Sequence, residues 1–160
     1  MTKAELLAVL RVGRAEWESL LIEVGEARMT QPGVAGEWSV KDIVAHVTWF
    51  EREMVGMLQA KALVGSHLWS LSQNERNAVI FEQNWNRPLA DVLAEARAVF
   101  EQLVAALAGV TDDDLNDPAR FPGMPAEWLP WKIIADNSYE HYSHHISSIR
   151  AWLDNKGERS

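Results

Sequence analysis

The chain has no cysteine. Disulfides, thiolate metal ligands and a cysteine nucleophile are therefore excluded together, and the absence fits a reducing compartment. No apolar run approaches the roughly 20 residues that a bilayer span needs. The first 17 residues, MTKAELLAVLRVGRAEW, are charged throughout and lack the apolar stretch of a secretory signal, so a cytoplasmic location is expected. Basic residues are scarce, 15 Lys and Arg against 23 Asp and Glu, for a formal charge of −8 with no basic cluster to offset it. A phosphate backbone is repelled by such a surface, so neither nucleic acid nor a membrane is expected as a partner. There is also no Gly-rich phosphate loop, no nucleophile elbow and no dinucleotide fingerprint.

What is present is ordinary globular material. The 160 residues are 48% hydrophobic and 24% charged, enough for one domain, 1–160, with a substantial core. Apolar residues recur at Leu6, Leu10, Gly13, Trp17, Leu20 or Leu21, and Val24, the face of a helix from about Lys3. Thr2 and Glu5 have the spacing of a capping box at its start. Arg11, Arg14, Glu16, Glu18 and Glu23 read as its outer surface. Ser39 is placed to cap a second helix, with Asp42 in its first turn and Trp38 and Ile43 at staple spacing. Its stripe is Ile43, His46, Val47, Phe50, Met54 and Leu58, fading near Gly65. Residues 66–86 predict a shorter, broken helix inside a long connection. Arg87 and Pro88 open a third long helix that ends at Gly109. Residues 110–130 read as loop. A fourth helix starts near Pro130 and Trp131 and carries Ile134, Ser138, His141, His145, Ile149 and Trp152 on one stripe. The tail from Asn155 to Ser160 is polar and expected to fray. Four long amphipathic segments predict an all-α four-helix bundle, and the long second connection suggests a crossover between helices 2 and 3.

Among the five histidines, His141 and His145 stand four apart and share one helix face, while His46 lies on the core stripe of another helix. Two imidazoles one turn apart and a third from a facing helix make a facial set for one metal ion, with positions left open for water or substrate. A lone core histidine satisfied by a hydrogen bond is the plainer reading of His46. Histidines on two core faces must in either case find partners, because burying unpaired polar groups costs a few kcal/mol each.

Two segments carry a family resemblance. Gly36-Glu37-Trp38-Ser39-Val40-Lys41-Asp42-Ile43-Val44-Ala45-His46 resembles the start of the second helix in DinB-like proteins, and His141-Tyr142-Ser143-His144-His145 resembles their last-helix motif. Thr2 to Leu7, together with His141-Tyr142, look closest to the ClbS/DfsB-like branch. The resemblance implies a four-helix bundle with His46, His141 and His145 as ligands of a divalent metal such as nickel, zinc or iron, as in YfiT-like metalloenzymes. The wider superfamily includes thiol-dependent transferases and a maleylpyruvate isomerase that uses a thiol cofactor. The ClbS-like branch includes a self-protection protein that opens a cyclopropane electrophile. One departure is Ile146-Ser147-Ser148-Ile149-Arg150, where many members carry an Arg-Gly-Gln-like run. The implied activity is a metal-dependent hydrolase or a transferase using a small thiol, acting on an electrophilic small molecule. The alternative is a metal-free protein that binds or sequesters such a molecule. A homodimer is left open.

Around the triad, Glu53 falls two turns after His46 and is the candidate general base. Its plainer reading is a solvated carboxylate paired with Arg52 or a neighbour. Trp49, Ser138 and Tyr142 are the candidate substrate-binding residues. Glu140 and Asp136 are candidates to orient an imidazole. His144 and His67 read as surface histidines. The eight tryptophans, Trp69 and Trp128 among them, suit either an aromatic pocket for an apolar or planar ligand or filling at the bundle ends.

Overall fold

The computed structural model describes residues 1–158, with side chains described as far as Asn155. Its four long helices are α1 (Lys3–Val24), α2 (Val40–Ala60), α4 (Leu89–Ala108) and α7 (Tyr139–Glu158), with the shorter α3 (Gln73–Asn84), α5 (Asp112–Asn116) and α6 (Pro130–Asp136) between them. Among the described residues there is no strand, only an isolated bridge between Ala35 and Trp38. Side chains set the helix starts. Thr2, Ser39, Ser72 and Thr111 each accept from the amide three residues on, and Glu5, Asp42, Glu75 and Asp114 return the bond to the cap amide. Each such cap is worth about 1 kcal/mol.

α2 packs most extensively against α4, and α1 against α7, with smaller contacts joining the two pairs. Tertiary bonds fix the directions. Lys41, at the start of α2, donates to the carbonyls of Trp85 and Arg87, just before α4 begins, so α2 and α4 start at the same end and run parallel. Lys3 reaches the carbonyl of Ala108, which sets α1 antiparallel to α4. Arg14 meets Tyr142 and Glu23 meets Arg150, so α1 and α7 are parallel. Two adjacent parallel helices need the chain to travel back between them. The connection carrying α3 makes that return, the crossover expected from its length.

The interior falls into two main layers. One gathers Trp17, Leu20, Ile43, Val47, Tyr142, Ile146 and Ile149; the other gathers Leu6, Leu10, Met54, Leu58, Leu103, Leu107 and Ile134. Each fully buried aliphatic side chain among them contributes about 1.5–3 kcal/mol. A third cluster, Trp49, Phe50, Leu68 and Ile80, lies where α3 covers α2.

Four expectations need correction. Residues 110–130 are not all loop, because the capping box of Thr111 and Asp114 nucleates α5. The last helix is not continuous. The side chains of Asn137 and Ser138 donate to the carbonyls of Ile133 and Ile134, competing with the helical ladder, and the helix is split there into α6 and α7. Arg14 is not on the surface but only 5% exposed. The tail is helical through Glu158, and the rest of the expected fraying, at Arg159 and Ser160, lies outside the described residues.

Candidate metal centre

The capping box at Ser39 fixes the start of α2, and His46 follows two turns later on its buried face. α7 runs opposite. Its buried line is Tyr142, Ile146 and Ile149, and His141 and His145 sit one step to the side of that line, half-buried toward α2. That offset places them at the edge of the core, partly exposed, and not within it. The three rings converge. His46 Nε2 lies 3.2 Å from His141 Nε2, and His145 Nε2 lies 2.9 Å from the same atom. One candidate ligand nitrogen from each ring falls within 4.8 Å of the others.

The centre is walled by aromatic rings. Phe50 meets His46 at 4.9 Å and His141 at 4.8 Å between ring centroids, both edge-on. Trp38 stands edge-on to His46 at 5.2 Å and is itself stacked on Phe81 of α3. Burial among these rings penalises the imidazolium, and each histidine's charge penalises the next. His46 is held down to about 3, His145 to about 4 and His141 to about 2, burial being the larger cause in each case. All three are neutral at physiological pH, the state in which imidazole binds a metal.

The donor set fits a divalent cation. Nitrogens about 2.1 Å from one ion at angles of roughly 85–110° stand about 2.8–3.4 Å apart, and the two close separations are 3.2 and 2.9 Å. Without an ion, His141 Nε2 faces two other ring nitrogens, and one proton cannot satisfy both contacts. The far sides are less complete. Nδ1 of His46 and of His141 are buried with no hydrogen-bond partner. Glu140 and Asp136 do not serve them. Both are exposed, and the neighbouring Asp136 carboxyl, with some burial, raises the Glu140 carboxyl above its ordinary value.

The other candidate residues fall elsewhere. Glu53 is no free base, since its Oε1 accepts from the amide of Ser66 at 2.6 Å and from the indole of Trp69 at 2.7 Å. Ser138 has no exposed surface and spends its hydroxyl on Ile134, so it lines no open pocket. Tyr142 is equally enclosed. It stacks on Trp17, and its hydroxyl donates to Glu51 and accepts from Arg14. Trp49 packs on Phe50 and Trp69, one ring removed from the histidines. His144 is exposed beside His145, and His67 is exposed on the turn after α2. Reading the sequence missed the Arg14–Glu51–Tyr142 group behind the centre. Position 14 lies between Leu10 and Trp17 on the core stripe of α1, which was the available signal.

The helical bundle brings three imidazoles from two helices to one point, a donor set of the kind that can hold a single metal ion. The sequence matches the DinB superfamily over residues 10–149, and the chain belongs to that superfamily. A search of curated proteins found no match. Two solved structures share the fold. An uncharacterised protein from Escherichia coli UTI89 is 21% identical with a TM-score of 0.73, covering 98% of this chain and 95% of its own. A protein from Streptococcus pneumoniae is 14% identical with a TM-score of 0.78, covering 96% and 91%. Among the described residues no helix is long and apolar enough to cross a membrane.

Proposed function

We propose that the chain is a metal-dependent hydrolase or thiol-dependent transferase acting on an electrophilic small molecule, with His46, His141 and His145 holding a divalent nickel, zinc or iron ion. The carrying observation is the convergence of three neutral, buried-edge imidazoles on one point. A bound divalent cation supplies Lewis acidity at that point. The histidines hold it from one side, and the half-buried position of His141 and His145 on α7 leaves the opposite side for water, a small thiol or substrate. Phe50 and Trp38 exclude bulk water from the rear of the rings, which strengthens every charge interaction in front of them.

A second reading keeps the same pocket without metal or turnover, as a binding or sequestering protein of the ClbS/DfsB kind. It is favoured by one observation. Neither Nδ1 of His46 nor that of His141 has the carboxylate or carbonyl acceptor that usually orients a ligating histidine. Elemental analysis decides between the two. Protein purified without an affinity tag from nickel- and zinc-supplemented cells should carry about one divalent ion per chain, and His141→Ala should carry almost none. Metal-free wild type would favour the sequestering reading.

A further inference from the structure

We propose that a cleft beside the triad binds the uncharged aromatic body of the substrate, so that the protein selects neutral, planar, apolar molecules. The reach from this cleft to the histidines rests on the functional reading above. The cleft itself does not. It lies where the end of α2, the turn after it, and the approach to α7 meet, with a volume of about 550 Å³. That is the size of a small-molecule site. None of its lining residues is Asp, Glu, Lys or Arg, and His67 is its one titratable side chain, in a chain where Asp, Glu, Lys and Arg make up 24% of the sequence. Burying a ligand's charge against such a wall is costly, so the wall selects against charge.

The cleft also concentrates exposed apolar surface. Val64, Trp69 and Trp128 are 50%, 37% and 39% exposed and all line it, and Leu129, 41% exposed, follows directly. Large apolar side chains that stay exposed together mark a binding surface. Two indoles line the cleft, and aromatic walls suit a planar, apolar partner.

One of these walls is held rigid. The Trp69 indole donates to Glu53, and the Arg76 guanidinium lies 4.8 Å from its ring. Gly65 makes room for it, since a Cβ there would stand 2.7 Å from Trp69 Cδ1. Glu53 also fixes the turn through the amide of Ser66. A preordered wall spares a ligand the cost of ordering it. Behind Trp69 stands Phe50, at 5.6 Å, and Phe50 in turn abuts His46 and His141. One aromatic layer therefore separates cleft from triad. A substrate whose ring system rests on Trp69 and Trp128 would need a substituent that passes around Phe50 to meet the histidines.

The test is a titration of ¹⁵N-labelled protein with 2-naphthol, following the indole N–H resonances, with those of Trp69 and Trp128 assigned from Trp→Phe variants. Saturable shifts of these two are expected. Trp128→Ala should weaken binding by roughly fivefold or more at unchanged melting temperature, Val64→Asp should weaken it likewise, and 2-naphthoate should bind more weakly than 2-naphthol. No saturable shift, equal affinity in Trp128→Ala, or tighter binding of 2-naphthoate would each overturn the proposal. His145→Ala separates the two claims. It should lose nickel and keep 2-naphthol. Naphthol binding without metal binding contradicts the proposed function alone, and metal binding without naphthol binding contradicts this inference alone.

Discussion

Glu51 has no exposed surface, yet it faces a buried arginine at 3.5 Å and a tyrosine hydroxyl. Burial of its carboxylate outweighs the pull of Arg14, and its pKa is pushed up to about 8. The carboxyl is thus mostly protonated near neutrality, and Arg14 is compensated by others: Glu18 at 3.0 Å and the Ala96 carbonyl at 3.2 Å. Glu51→Gln keeps the shape and the neutral state, so it should cost less than about 1 kcal/mol in urea unfolding at pH 6. Tyr142→Phe removes a hydroxyl that bonds both partners and should cost about 1–2 kcal/mol. A loss above about 3 kcal/mol for Glu51→Gln would mean that an ionised Arg14–Glu51 pair holds the core.

Between elements, the approach of α1 to α7 depends on a missing side chain. A Cβ on Gly13 would lie 2.7 Å from the Cβ of Tyr139, the first residue of α7. Neither atom can swing aside, so Gly13→Ala must push the helices apart. The expected cost is about 1–3 kcal/mol despite the better helix propensity of alanine, read as a drop of several degrees in melting temperature. An unchanged or raised melting temperature would show that the two helices are not packed this closely. The same element scale explains what was legible beforehand. Caps and stripes are local signals, so Thr2, Ser39 and the 3.6-residue periods located the long helices well. The α6–α7 break was hidden, because Asn137 and Ser138 interrupt a ladder without interrupting the apolar stripe. The histidines could be grouped because spacing and stripe put them on facing helices. The partners of Ser138, Tyr142 and Glu53 were not legible, because a stripe says which face is inward but not which neighbour engages a polar group.

For the whole molecule, buried titratable groups predict a stability optimum in the metal-free state. The folded values of His46, His141 and His145 are depressed, so the unfolded chain binds their protons more readily. Stability is therefore lost as pH falls from the ordinary histidine value near 6.5 toward about 4 and below. Glu51 acts in the opposite sense. Its folded value is raised, so its contribution is full below the ordinary 4.5 and is lost as pH rises through about 8. Three histidines outweigh one carboxyl on the acid side, and only the carboxyl acts above, which puts the maximum near pH 7, roughly. Melting temperatures of metal-stripped protein from pH 5 to 9 should trace this peak, and Glu51→Gln should flatten its alkaline limb. An unaltered limb in that variant would contradict the protonated assignment of Glu51.

The cation site proposed for His46, His141 and His145 lies between α2 and α7. Isothermal titration of nickel and of zinc into metal-stripped protein at pH 7.5 tests it most directly. Wild type should bind about one equivalent, and His145→Ala should bind far more weakly while keeping its helical circular dichroism, because the surrounding core is aliphatic and aromatic. His144→Ala, one residue away and exposed, should behave nearly as wild type. Equal affinities for wild type and His145→Ala, or no binding by wild type, would contradict the metal centre.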